Sequence, residues 1–122
     1  MNIETLTATI AVCHDTKPVV TTFNRKVAKN RGNCRIWIEG KKLLDAGINN
    51  GDRFHWQIAN NQVVLTFDDD SFETRKVSGN PSRPIIDINS SELNPILGNG
   101  THYTVTVSKN LANVTTMVIE QA

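Results

Sequence analysis

The stretch Arg25–Ile38 reads RKVAKNRGNCRIWI, and fifty residues later Arg75–Ile88 reads RKVSGNPSRPIIDI. Each begins with Arg-Lys-Val, passes through a polar loop, meets another Arg and ends in an apolar run. The correspondence spreads outward from there. Ile36 and Ile38 recur as Ile86 and Ile88, and the Thr-Phe pair before the first phrase has a partner in Ser71-Phe72 before the second. A short helical segment follows in each case, with Leu44 and Ile48 of the first answered by Leu93 and Leu97. NNGDRFHWQI then matches GNGTHYTVTV at an offset of forty-nine, so one residue has been lost in the helical stretch. Alternation alone can make strands look alike, but it does not supply the same series of elements twice in the same order.

A chain of 122 residues has length for one core, so two copies must share it. A unit of one open strand, one short helix and a hairpin encloses no core by itself. The expected fold is therefore mainly β, two half-domains interlocked as a pseudo-dimer, each with one short helix. The boundaries read as a strand extension over residues 1–18 (TLTATIAV), a first repeat over 19–68 and a second over 69–122.

Local chemistry fills in the elements. VVTTF, CRIWI and RFHWQI carry β-branched and aromatic residues at strand periodicity, which places Phe54, Trp56 and Ile58 on one face. Asn60-Asn61 is turn chemistry and makes VVLTF the return strand of a hairpin. Between strands, Leu43, Leu44 and Ile48 give a two-turn helix one apolar side, and Gly47 suits the left-handed position past its end. Ser90 or Ser91 can cap the second helix, which Pro95 interrupts.

Net charge is +1, yet from Arg25 to Lys42 seven basic side chains face one acidic residue, Glu39. Asp68–Asp70 is the clearest polar break and reads as a solvated linker, having neither the spacing nor the companion carboxylates of a cation loop. No apolar run is long enough to span a bilayer, and the N-terminus has no signal-peptide pattern, so a cytoplasmic protein is expected. Cys13 and Cys34 are expected as free thiols, and the Cys13-His14 pair has no further ligands at metal-binding spacing. No catalytic set, nucleotide loop or cofactor motif is present, and His55 and His102 stand at non-equivalent repeat positions, so the expectation is a non-enzyme without cofactor or metal.

The order of a basic Arg-Lys-Val strand, a Gly loop, an Arg opening an apolar strand, a short helix, a Gly-Ile, a Gly-Asp turn and a hairpin resembles the SpoVT/AbrB family. The first repeat follows it closely and the second loosely, together from about Val19 to Ile119. The resemblance implies a swapped-hairpin β-barrel formed by two intrachain repeats, the arrangement of MraZ-like members, and a DNA-binding role in transcription regulation. It also implies that Arg25, Lys26 and Arg35 face DNA, with Arg75, Lys76 and Arg83 as their second-repeat counterparts. Glu39 and Gly40 stand where the family often has a Pro, and Leu43 and Leu44 where it has basic residues.

Basic side chains on one face bind duplex DNA by releasing condensed counterions, and Arg can also fork onto a guanine edge. On this reading Lys26, Lys29 and Arg31 position the backbone, Arg25 and Arg35 read bases, and Lys41 and Lys42 lie close by. A solvated, merely solubilising loop is the plain alternative. Trp56 is in phase with the core, whereas Trp37 is out of phase with its neighbours and marks an exposed binding or oligomer surface. A different class remains open: an antitoxin or small inhibitor that engages a toxin, nuclease or defence protein through strand edges or Trp37. A detached targeting module of a DNA-modifying enzyme fits the lack of catalytic residues as well. The chain is either a monomeric pseudo-dimer or a homodimer.

Overall fold

A computed structural model describes residues 19–67 and 75–122. The N-terminal extension, Cys13, His14 and Asp68–Asp70 lie outside the described residues.

In the segment that opens the sequence reading, alternation decides which side chains go in. Across β3 (Asn33–Glu39) Cys34, Ile36 and Ile38 are buried while Arg35, Trp37 and Glu39 face outward. The same alternation in β8 (Arg83–Asn89) buries Pro84, Ile86 and Ile88. These strands pair antiparallel with Ile36 opposite Ile88 and Ile38 opposite Ile86. Four β-branched side chains thus meet at the middle of the core, each contributing about 1.5–3 kcal/mol by burial.

The remaining elements are β1 (Val19–Lys26), β2 (Ala28–Asn30), α1 (Lys41–Asp45), β4 (Arg53–Ala59), β5 (Gln62–Phe67), β6 (Arg75–Lys76), β7 (Ser78–Asn80), a 3-10 turn (Ser91–Leu93), α2 (Asn94–Leu97), β9 (His102–Lys109) and β10 (Thr115–Gln121). They form a six-stranded sheet in the order β1-β9-β10-β5-β4-β6 and a four-stranded sheet in the order β2-β3-β8-β7. Every pairing is antiparallel.

The expectation of a mainly β chain is met, but the strands do not close into a barrel. After Lys26 the chain leaves the larger sheet, and the Val27 N–H makes the last bond of the β1–β9 pairing, to the Thr101 carbonyl (2.9 Å). After Lys76 the Val77 N–H donates likewise to the Asp52 carbonyl (2.8 Å). Each ladder stops there, and β2 and β7 become outer strands of the second sheet.

Pairings on the two sides correspond position by position. Arg25 and Lys26 lie opposite Tyr103 and His102, while Arg75 and Lys76 lie opposite Phe54 and Arg53. The first strand of each half therefore joins the hairpin of the other half, and β5 joins β10 between them. Exchanging each strand with its later counterpart turns both sheet orders into themselves, read backwards.

The turns follow the residue chemistry. Asn60 and Asn61 take φ of 54° and 60°, as a two-residue hairpin turn requires. Gly47 takes φ 81° past the end of α1, where its N–H donates to the Leu44 carbonyl and that of Ile48 to Leu43. Ser90 caps the 3-10 turn, its hydroxyl accepting from the Glu92 N–H (3.1 Å). Pro95 does not interrupt a helix. It sits in the first turn of α2, where its missing N–H has no intrahelical partner to lose.

Ile58 departs from the expected pattern, being 37% exposed although in phase with buried Phe54. β6 covers only Arg53 and Phe54, so among the described residues no strand flanks the far half of β4 on the side away from β5. Its counterpart Val107 is fully buried because β1 runs along β9 from Ser108 to His102. Trp56 packs against the core while remaining half-buried. Among the described residues no helix is long and apolar enough to cross a membrane.

Candidate functional site

The end of β1, strand β2 and the outward face of β3 enclose an open groove of about 490 Å³, lined by Arg25, Lys26, Ala28, Lys29, Arg35, Trp37 and Glu39. Its shape follows from the Val27 crossing. Arg25 and Lys26 end the larger sheet, Lys29 lies on the edge of the smaller one, and the sheet change sets them around the outward side chains of β3.

Two of the groove's charges are already answered. Arg35 binds Asp87 of β8 with both prongs, Nε to Oδ1 and Nη2 to Oδ2, each at 2.8 Å. This hydrogen bonding holds the guanidinium pKa above its ordinary value, against a small opposing effect of burial. The same guanidinium lies 4.6 Å from the centre of the Trp37 ring. Arg35 is thus held flat on the sheet face by a carboxylate and an indole together. Glu39 is paired in turn with Arg83 at 2.8 Å.

Arg25, Lys26 and Lys29 remain. Arg25 rests over the Phe23 ring at 5.0 Å and donates from Nη1 to the Asn24 carbonyl (3.3 Å), but no carboxylate meets it among the described residues. Lys26 and Lys29 are exposed and have no ion-pair partner among the described residues. Three positive charges accordingly line one wall of a groove whose floor carries an indole that is 36% exposed.

Of the other residues singled out in the sequence, Arg31 sits at the tip of the β2–β3 turn with φ 55°. Lys42 reaches within 5.7 Å of the Phe23 ring, on the opposite element from Arg25. Lys41 is tied to Asp45 one helical turn on, at 3.1 Å. In the second half Arg75 donates from Nη1 to the Asp87 carbonyl (3.3 Å), Lys76 is exposed, and Arg83 is occupied by Glu39. The structure therefore gathers Arg25, Lys26, Lys29 and Arg35 into one groove and leaves Arg75, Lys76 and Arg83 outside it.

Sequence reasoning missed Asp87. Its outward position was legible from the alternation in RPIIDI, but its meeting with Arg35 depends on the β3–β8 register, which sets Trp37 opposite Asp87. Tyr103 stood in the sequence only as the repeat partner of Phe54. It is buried beside the groove, opposite Arg25 on the neighbouring strand. Its hydroxyl approaches the Trp37 backbone without reaching hydrogen-bond geometry with any group among the described residues. Burial pushes its pKa up to about 12, with the Trp37 backbone and the Arg25 charge pulling the other way.

Among the described residues no three His, Cys, Asp or Glu side chains converge as a metal site. Cys34 is a buried free thiol whose backbone N–H donates to the Asn94 side chain (2.8 Å), pinning α2 to β3. Comparison with protein-family models, with curated proteins and with solved structures gives no match.

Proposed function

We propose that the chain is a cytoplasmic two-repeat protein of the SpoVT/AbrB-like, swapped-hairpin kind, and that it binds duplex DNA as a transcriptional regulator. The observation that carries the binding is the groove in which Arg25, Lys26 and Lys29 stand without counter-charges among the described residues. Closely spaced cations with no internal partner gain most from a phosphate backbone, because each contact releases a condensed counterion and breaks no existing ion pair. The exchange of first strands between halves, matched residue by residue at Arg25/Tyr103 and Arg75/Phe54, supports the repeat reading.

In this arrangement Lys26 and Lys29 hold phosphates, and Arg31 extends the contact at the turn tip. Arg25, whose guanidinium is steadied on Phe23, is the side chain free to reach a base edge. Arg35 acts by fixing Trp37, since Asp87 occupies its hydrogen-bonding fork. The test is fluorescence anisotropy with a labelled mixed-sequence duplex, comparing the wild type with the double variant Lys26→Glu/Lys29→Glu. Affinity is expected to fall at least about tenfold at low salt; unchanged affinity in a folded variant overturns the assignment.

A second reading rests on Leu111, which is 86% exposed in the loop between β9 and β10. An apolar side chain offered so fully fits a protein-binding module, in which a toxin, nuclease or defence protein takes the loop into a pocket. Loss of such a partner on Leu111→Ser, with duplex binding absent in the wild type, would select this alternative.

A further inference from the structure

The two halves share their backbone pairing but not the chemistry on it. At the positions that line the first-half groove, the second half offers Arg75 and Lys76 for Arg25 and Lys26, and then departs. Ser78 stands for Ala28, Gly79 for Lys29, Asp87 for Trp37 and Asn89 for Glu39, and the offset of fifty that matches the isoleucines sets Ile85 rather than Arg83 in the place of Arg35.

Three differences remove something a phosphate backbone or a base would use, whereas Ser78 and Asn89, a hydroxyl for a methyl and an amide for a carboxylate, do not. Gly79 takes away the third cation, and its replacement is constrained: φ is 86° and a side chain there meets the Arg83 carbonyl. Pro81 replaces the cation at the turn tip, Arg31. Asp87 replaces the indole with an anion, and that anion spends itself on Arg35 of the other half. Arg75 is drawn toward the same residue through the Asp87 carbonyl. The exposed second-half surface is therefore left with Arg75 and Lys76 as its cations without an ion-pair partner at the groove-equivalent positions among the described residues, against three in the first half, and with no indole beside them.

From this asymmetry we infer that the chain engages duplex DNA from one side only, through the first-half groove, and that its target is a non-palindromic site occupied by one chain. The inference rests on the duplex-binding reading and goes further than it. A protein whose two halves gripped DNA equally would impose its own two-fold relation on the site. Here the backbone keeps that relation while the side chains have given it up. The second half serves as a scaffold, lending β9 to carry β1 and Asp87 to hold Arg35 against Trp37.

Lys26 and Lys76 make the test, because they occupy the same place in the two halves, each exposed and each at a strand end. Lys26→Glu and Lys76→Glu are compared with the wild type by anisotropy on a labelled mixed-sequence duplex at low salt, with folding checked by circular dichroism. Stoichiometry is read at duplex concentrations well above Kd. Lys26→Glu is expected to weaken binding about tenfold and Lys76→Glu less than about twofold, with one chain per short duplex. Equal losses for the two variants overturn one-sided engagement while leaving duplex binding intact. A loss confined to Lys76→Glu overturns the first-half groove as the side engaged. Wild-type binding that neither variant changes overturns the groove as the contact surface, and absence of any wild-type binding overturns the inference together with the reading beneath it.

Discussion

Tyr103 is the single tyrosine of the chain, which makes its ionisation directly readable. It is fully buried, its hydroxyl meets no hydrogen-bond partner among the described residues, and burial lifts its pKa from an ordinary value of 10.0 to about 12. The folded state therefore resists losing the phenolic proton, whereas the unfolded chain gives it up at the ordinary value. The associated stability is fully present below about pH 10 and is lost as pH rises toward 12. Two pH units at about 1.4 kcal/mol each set the loss at no more than about 3 kcal/mol. Tyr103→Phe keeps the packed ring and removes both the unmatched hydroxyl and this titration. At pH 7 the variant should be at least as stable as the wild type, with a gain on the order of 1 kcal/mol. Urea denaturation at pH 7 and at intervals above pH 9 measures both effects, and the ultraviolet absorbance of phenolate reports ionisation in the folded protein. The wild type is expected to form phenolate late, or only as it unfolds. Phenolate appearing near pH 10 with the circular dichroism unchanged would refute the buried, unpartnered hydroxyl.

Other consequences follow from the core and the groove. Ile88→Ala, at the fully buried meeting of β3 and β8, should cost about 2–5 kcal/mol in urea denaturation, and a cost below about 1 kcal/mol would contradict the packing. Gly32 and Gly79 both take positive φ, but a side chain at Gly32 meets open space whereas one at Gly79 meets the Arg83 carbonyl. Gly32→Ala should cost about 1 kcal/mol and Gly79→Ala clearly more, measured as the difference between their melting temperatures. Asp87→Asn frees the Arg35 guanidinium from its counter-charge, so duplex affinity should rise about threefold, and a fall would show that holding Arg35 against Trp37 outweighs the freed charge.

What the sequence shows of this architecture comes from short-range regularities. Alternation in CRIWI and RPIIDI identified the buried isoleucines, Asn60-Asn61 announced its turn, and Gly47 its helix end. Closure into a barrel was not recoverable in the same way. It depends on how strands from the two halves pair, and those partners are distant in sequence. Ile58 illustrates the same limit, because its exposure is set by the two-residue length of β6 rather than by its own strand. In the groove, the basic run around Arg25 was plain in the residue order. The partition of that run into committed and uncommitted charges was hidden, since Asp87 and Arg83 come from the other half of the chain and meet Arg35 and Glu39 only through tertiary register.

The most direct test of the central claim is the salt dependence of duplex binding by the wild-type protein. Three uncompensated cations in the groove, Arg25, Lys26 and Lys29, imply that the logarithm of the binding constant falls against the logarithm of salt concentration with a slope of about −3. A slope between about −2 and −4 agrees with a groove that holds a short run of phosphates. No binding at low salt by the folded protein, or binding indifferent to salt, would contradict it.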